Sequence, residues 1–549
     1  MSEFLSPERP YEWVGALGER RATLTPDREA LVDRATGERY TYADLDGRAN
    51  RAARLLRQVG VGRGDRVAVL SRNRPALVDL YFAAGKTGAV LAPLSHRLAP
   101  DELVAMLNDV DPGLLVVEEP FDDVAAAVLA HDDRAFEADV RSLATDGEHA
   151  WGAYGDALPA DDGPVETVDA AMGDPRMLLH TGGSTGIPKE VVVTNGTVLW
   201  NSVNTITAWG LRDDDVTPLT FPMFHTGGWH VITVPLFHMG GTVVLAREFD
   251  AGDVLRTVEA EGASVLVAVP AMYRMMRDHD DWEAVDLSTV RVAKSGGGPA
   301  REAVMGAWWD RGVDLSQGYG LTECGPNNFA MPDDWPREKA DSVGVPATHV
   351  DVRVVDDDGT RVERGEVGEL ELAGPHAGDR YWRNPEETAA TFGAGDGAGG
   401  GAGGGASGGA GGGADGGDRA ATDEHEWVST GDLARVDEEG YVYVEGRKKN
   451  MFVSGGENVY PPEVEDAVAD HPAVEEVVVV PTSDEQWGQV GTAVYEGDPD
   501  LTLDALRTFL DDRLARFKHP RHLVRVETLP MSGPSKIDRG AVEAEYGGG

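Results

Sequence analysis

The nine residues Thr181-Gly-Gly-Ser-Thr-Gly-Ile-Pro-Lys189 carry the strongest chemical signal in the chain. Gly182, Gly183 and Gly186 let backbone N–H groups approach phosphate oxygens, Ser184 and Thr185 add hydroxyl donors, and Lys189 adds a positive charge. The apolar run Met177-Leu-Leu179 leads directly into them. The nucleoside-triphosphatase loop GxxxxGK[ST] does not fit, because Pro188 precedes the lysine and Glu190 follows it. Further along, Tyr319 offers an aromatic face on which a base can stack. Thr322 and Glu323 fall at an expected strand-to-loop exit, where a hydroxyl can meet phosphate and a carboxylate can hold Mg2+. Asp432 opens a hairpin that ends at Arg447, and a carboxylate there can accept both hydroxyls of a ribose.

These residues belong to a longer series of blocks. After the first loop come Phe221-Pro-Met-Phe-His225, Ser295-Gly-Gly-Gly-Pro299, Gly318-Tyr-Gly-Leu-Thr-Glu323 and Ser429-Thr-Gly-Asp432. Gly446-Arg-Lys-Lys449, Ser454-Gly-Gly-Glu-Asn-Val-Tyr-Pro461 and residues 530–536 complete it. In content and order the series resembles the signatures of the adenylate-forming superfamily, which includes acyl-CoA synthetases, peptide-synthetase adenylation domains and luciferases. The resemblance runs over nearly the whole chain.

The resemblance implies a role for each block. The 181–189 loop, with Thr181, Gly182, Gly183, Ser184, Thr185, Gly186 and Lys189, would hold the phosphates of ATP, and Gly296, Gly297, Gly298, Pro299, Tyr319, Gly320 and Thr322 would also bind the nucleotide, Tyr319 at the base and Thr322 at phosphate. Glu323 corresponds to a magnesium ligand, Asp432 to the ribose-binding carboxylate, and Arg447 assists it. Lys536 corresponds to the lysine that bridges substrate carboxylate and α-phosphate during adenylation, where a cation stabilises redistributing negative charge. Lys449 matches the hinge about which a small C-terminal domain swings, bringing Gly455 and Gly456 to the site to admit the pantetheine of coenzyme A. Catalytic roles are thus expected for Lys536, His225, Glu323 and Thr185. The expected reaction is formation of an acyl-AMP and then an acyl-CoA, using ATP, Mg2+ and coenzyme A. The sequence departs from the family pattern at Gly182 (usually Ser), Glu190 (usually Gly), Asn450 (commonly Asp) and Ser535 (usually Gly), which bears on loop geometry near the phosphates.

Lysine usage supports the same blocks. The chain has 8 lysines among 49 basic residues, and Lys189, Lys448, Lys449, Lys518 and Lys536 fall within or beside these motifs. Substrate preference is read from residues 216–247, which contain no Asp or Glu and include Phe221, Phe224, Trp229, Ile232 and Phe237. A buried helix is expected there, with His225 and Trp229 in the acyl pocket. Relatives that activate amino acids place an Asp at the slot of His225, and a buried ammonium without a carboxylate is costly. An apolar acid is therefore expected, a medium- or long-chain fatty acid first and an aromatic acid second. Loading of a carrier-protein thiol and a non-catalytic acyl or nucleotide sensor are the other readings.

The elements that must position these residues alternate. Short apolar runs at Ala30-Leu-Val32, Val67-Ala-Val-Leu70, Ala89-Val-Leu91 and Leu114-Leu-Val-Val117 are separated by amphipathic stretches, and Thr41-Tyr-Ala-Asp44 opens one of these as a capping box. Repeated β-α units imply parallel sheets covered on both faces. The expected fold is α/β: a large N-terminal domain over 1–447, built of two doubly wound α/β subdomains (1–170 and 171–345) and a small antiparallel β subdomain (346–447), then a small mobile α+β C-terminal domain over 448–549. Residues 393–417 hold 16 Gly and 6 Ala in 25 residues, and such a tract is expected to be a disordered insertion.

Composition excludes whole classes. With 95 acidic residues against 49 basic, the net charge of −46 argues against nucleic acid and anionic membranes as partners, and points to a protein kept soluble at high salt. Cys324 is the sole cysteine, which rules out an intrachain disulfide and suits a reducing cytoplasm. Neither a signal peptide nor a membrane span is expected, and a homodimer is left open.

Overall fold

The computed structural model describes residues 10–143, 151–181, 189–393, 427–454, 457–484, 487–511, 513–531 and 537–547. A seven-stranded sheet runs in the order Lys189–Thr194, Pro175–Thr181, Val90–Leu94, Arg66–Leu70, Leu114–Val117, Asp139–Ser142 and Gly152–Ala153. All neighbours pair in parallel except the first two, which form a hairpin with Thr181 opposite Lys189 and His180 opposite Glu190. The strand residues Val67 to Leu70 and Leu114 to Val117 are buried on both faces, as their unbroken apolar runs require.

A four-stranded sheet contains Val216–Leu219, Thr242–Leu245, Glu29–Asp33 and Arg39–Thr41. A three-stranded parallel sheet, Val265–Ala268, Val292–Ser295 and Leu315–Gln317, adjoins it, and the Ser264 amide donates to the Val216 carbonyl. Residue 170 does not separate these sheets. Strands from 175 to 194 complete the first one, whereas Glu29–Thr41 leaves it to pair with Thr242–Leu245. The contiguous subdomains 1–170 and 171–345 are therefore interleaved, because a parallel strand takes whichever open edge its crossover helix reaches.

Local signals hold where they are chemical. Thr41 accepts from the Asp44 amide, and the Asp44 carboxylate accepts from the Thr41 amide, so the capping box starts helix Tyr42–Gln58. Residues 216–247 are not one helix. They form the strand Val216–Leu219, a π turn at Gly227–Val231, the helix Thr233–Met239 and the strand Thr242–Leu245, nearly all buried. Pro222 and the pairs Gly227-Gly228 and Gly240-Gly241 interrupt what would otherwise be a continuous apolar helix.

The four-stranded antiparallel sheet Asp351–Val355, Gly368–Ala373, Val428–Val436 and Val442–Arg447 follows. Most of the Gly-rich tract lies outside the described residues. Beyond Lys448–Asn450 a five-stranded sheet, with helices Pro461–Ala469, Leu503–Leu510 and Arg539–Tyr546, builds the C-terminal unit around Val464, Val468, Val479, Tyr495 and Leu506. Glu476 of this unit accepts from Arg274 at 2.6 Å and Arg301 at 3.1 Å, joining it to the three-stranded layer. No helix among the described residues is long and apolar enough to cross a membrane.

Candidate active site

Parallel strands end together, and their exits gather the motif residues. The Gly318 amide donates to the Ser295 carbonyl at 2.7 Å, which brings Ser295-Gly-Gly-Gly-Pro299 beside Gly318-Tyr319-Gly320. Gly297 has φ +83°, and a Cβ on Gly320 would lie 2.1 Å from the Pro326 carbonyl carbon, so a side chain is excluded at both turns on different grounds. Gly296 is half-buried while Gly297, Gly298 and Pro299 stay exposed, leaving their backbone open to a ligand.

Tyr319 reaches across to the antiparallel sheet. Its hydroxyl donates to Asp432 Oδ2 at 2.6 Å, and Arg447 Nε donates to Asp432 Oδ1 at 2.8 Å. Asp432 and Arg447 are direct cross-strand partners, which is why one side chain meets the other. Arg447 is fixed further by donating to the Thr430 carbonyl at 3.0 Å. Burial and the neighbouring Asp432 raise the Tyr319 phenol well above its ordinary range, so the phenol stays a donor. The tyrosine, aspartate and arginine singled out in the sequence thus form one connected clamp.

A second cluster surrounds Glu323, which with Thr322 lies in a short 3-10 turn. Glu323 Oε1 accepts from the Tyr381 hydroxyl at 2.8 Å, and Lys189 Nζ lies 5.5 Å from the same ring while pairing with Glu387 at 2.5 Å. Tyr381 and Glu387 were not anticipated, although Tyr381-Trp-Arg-Asn-Pro-Glu-Glu387 contains a visible helix start at Asn384 and Pro385. No group of three or more His, Cys, Asp or Glu side chains among the described residues could hold a metal alone. Mg2+ accepts one carboxylate when phosphates and water supply the rest, so Glu323 fits as its protein ligand.

Beside Lys189 lies a less settled region. Glu190 is buried, its Oε1 has no hydrogen-bond partner among the described residues, and burial with nearby Asp109 pushes its carboxyl up to about 8. Instead of lying near the phosphates as a charge, it is held as a neutral acid. Its cross-strand partner His180 is pushed down to about 4 by burial and by His225, and stacks 5.9 Å from Phe224. His225 itself is exposed, with its Nδ1 accepting from the Gly227 amide at 3.0 Å. Trp229, expected in the acyl pocket, is instead fully buried in the core, stacked 5.0 Å from Tyr81, with its indole N–H given to the Met223 carbonyl at 2.6 Å.

The lysines divide unexpectedly. Lys448 is tied to Glu369 and Asp357, and Lys518 to Glu463, so both serve packing, whereas Lys449 is exposed in the turn that follows the antiparallel sheet. Among the lysines outside the motifs, Lys86 and Lys339 sit on carboxylates, but among the described residues Lys294 has none in contact, Asp314 acting on it only from a distance. Lys294 Nζ donates to Ser316 Oγ at 2.7 Å, and burial pushes its ammonium down to about 8 although the side chain keeps accessible surface. Gly182, Gly183, Ser184, Thr185, Gly186, Gly455, Gly456 and Lys536 lie outside the described residues.

The family model for AMP-binding enzymes matches residues 18–382, and that for the AMP-binding enzyme C-terminal domain matches 463–536. The chain belongs to the AMP-binding enzymes. Within them this adenylate-forming enzyme falls in the acyl-CoA synthetase branch. It is similar to a feruloyl-CoA synthase of Amycolatopsis sp, 34% identical over 97% of this chain and 99% of that protein. It is also similar to an indoleacetate–CoA ligase of Aromatoleum aromaticum, 35% identical over 96% of each. Among solved structures, ATP-bound MatB from Rhodopseudomonas palustris aligns with a TM-score of 0.82 at 28% identity, over 97% of this AMP-binding enzyme and 99% of MatB.

Proposed function

We propose that this enzyme joins an aromatic carboxylic acid carrying a polar substituent to coenzyme A. The acid's carboxylate attacks the α-phosphorus of ATP, expelling pyrophosphate, and the coenzyme A thiol then attacks the acyl carbon, expelling AMP. Lys294 carries the substrate half of the reading. An interior ammonium with only the Ser316 hydroxyl in contact and Asp314 at a distance is under-compensated, and a hydroxyl or similar acceptor on the substrate would supply a further partner. The strand places Lys294 beside Val267 and Ser316, in the row behind Ser295 and Gly318. The aromatic acids named for the feruloyl and indoleacetate relatives support an aromatic acid, and the accepting substituent rests on Lys294.

The remaining roles rest on the clamp and its neighbours. Asp432 accepts from the ribose hydroxyls, held in place by Tyr319 and Arg447, and the Tyr319 ring faces the base. Lys189 and Thr181, with residues 182–186, hold phosphates once Lys189 leaves Glu387. Glu323, with Thr185, would hold Mg2+, which supplies charge neutralisation for the departing pyrophosphate when bound. His225 borders the reacting carboxylate. Lys536 serves adenylation, and turning at Lys449 exchanges it for the Gly455-Gly456 loop in the thiol step.

The test is ATP–pyrophosphate exchange in molar KCl with 4-hydroxycinnamate, cinnamate and decanoate. The hydroxylated acid should lead cinnamate by about tenfold or more, and Lys294→Met should erase that lead. Decanoate turning over best, with the ranking unchanged in Lys294→Met, would instead favour a fatty acid, the reading that the acid-free apolar residues 216–247 support.

A further inference from the structure

Helix Asn195–Trp209 has two occupied faces. On one, Asn201, Asn204 and Thr205 bond to the His230 carbonyl, His349 and Asn327, next to the Glu323 turn. On the other, Asn195, Val198, Leu199 and Ser202 recur at helical spacing and line a cavity of about 250 Å³. Helix Leu17–Leu24 and helix Thr233–Met239 close it, the first with Leu17 and Leu24 and the second with Val234 and His238. Its lining is mostly apolar, and Trp13 and Leu24, at 40% and 70% exposure, stand among its walls as two of the few large apolar side chains left open to solvent.

Three arginines line the same space, Arg20, Arg21 and Arg176, and none forms an ion pair among the described residues. Elsewhere inward arginines such as Arg48, on Asp79 at 2.6 Å, and Arg247, on Asp33 at 2.8 Å, meet carboxylates, whereas Arg311 is satisfied by carbonyls alone; three such arginines around one cavity is what sets this place apart. Arg176 is 5% exposed, lies 4.4 Å from the Tyr81 ring and donates to the Tyr81 carbonyl at 2.7 Å. Arg21 donates to the His238 carbonyl, and its buried Nε has no partner among the described residues. A buried guanidinium without a counter-charge is costly, so positive charge has been concentrated here against a strongly acidic background.

The cavity is separate from the nucleotide end of the sheet. Arg176 and Thr181 are at opposite ends of strand Pro175–Thr181, about 17 Å apart at 3.3 Å per residue. We propose that this cavity is a second ligand site that takes one amphipathic carboxylate, its apolar body between the three helices and its anionic head on the arginines.

The experiment titrates decanoate into the whole enzyme by calorimetry, with the reaction centre saturated by a non-hydrolysable acyl-sulfamoyl adenosine. One equivalent should bind, and decanol, which has the body without the charge, should bind at least tenfold more weakly. Leu199→Trp, which fills the cavity from a half-buried position, should abolish the heat, and Arg20→Glu at the exposed rim should weaken binding severalfold. Far-UV circular dichroism and an unchanged exchange rate confirm that both variants fold. Loss of decanoate binding when the adenosine analogue is present would assign the cavity to the acyl pocket and overturn a second site. Equal binding of decanol, or binding untouched by Leu199→Trp, would overturn it as well.

Discussion

The Tyr319–Asp432–Arg447 clamp and the Thr181/Lys189 hairpin handle charge in opposite ways. Asp432 is already held by Tyr319 and Arg447, so its carboxylate is oriented before a nucleotide arrives. Across the site Lys189 is spent on Glu387, Glu190 is a buried acid with no hydrogen-bonded partner at Oε1 among the described residues, and His180, its imidazolium disfavoured by burial, is uncharged at neutral pH. One region is preorganised, whereas the other would have to exchange partners to take a triphosphate as proposed. Binding energy at the first is available at once, and part of that at the second is consumed in rearrangement.

The largest expected effect comes from removing the clamp's centre. Asp432→Ala forfeits two charge-assisted hydrogen bonds to ribose, each worth about 1.5–3 kcal/mol, and the KM for ATP in pyrophosphate exchange should rise roughly a hundredfold. A rise below about threefold would place the ribose elsewhere. Tyr319→Phe keeps the ring but removes the bond to Oδ2. About a tenfold higher KM for ATP with little change in kcat is expected, because orientation rather than chemistry is lost.

Glu190→Gln probes the opposite region through stability. The Glu190 carboxyl is raised from 4.5 to about 8, so between these values the folded protein keeps a proton that the unfolded chain has released. Stability therefore falls as pH rises through this window, by up to about 1.4 kcal/mol per pH unit from this group, and the loss is complete above 8. Thermal unfolding from pH 5 to 9 should show a shallower decline in the Gln variant and a higher Tm at pH 8; parallel curves would mean that the acid is not held neutral. The smallest effect belongs to Glu387→Gln. A pair of this exposure is worth about 0–1 kcal/mol, so freeing Lys189 should lower the KM for ATP by at most about fivefold.

The clamp was legible because each member combines a residue type with a motif position, and hairpin register then forces Asp432 onto Arg447. The capping box at Thr41 was legible for the same local reason. What escaped was set by register and by chain path. Lys294 is an ordinary strand residue in Val-Arg-Val-Ala-Lys-Ser, and only the pairing with Ser316 reveals that it faces inward with a hydroxyl, and no carboxylate among the described residues, in contact. Trp229 has the composition of a pocket wall, yet the π turn at Gly227–Val231 rotates it into the core against Tyr81. Tyr381 bonds to Glu323 across 58 positions, a separation that no periodicity encodes. Strand edges are chosen in three dimensions, so a division at residue 170 looked natural although both sheets ignore it.

That interleaving has a consequence for biosynthesis. The strand Glu29–Asp33 leaves the ribosome some 200 residues ahead of its parallel neighbour Thr242–Leu245. At 5–20 residues per second the delay is roughly 10–40 s. During it, the β-rich Ala30-Leu-Val32 segment has only the short Arg39–Thr41 hairpin partner and one open edge, an aggregation risk that ends when the central strand arrives. A pause in translation before residue 242 would lengthen the time for which that edge stays open.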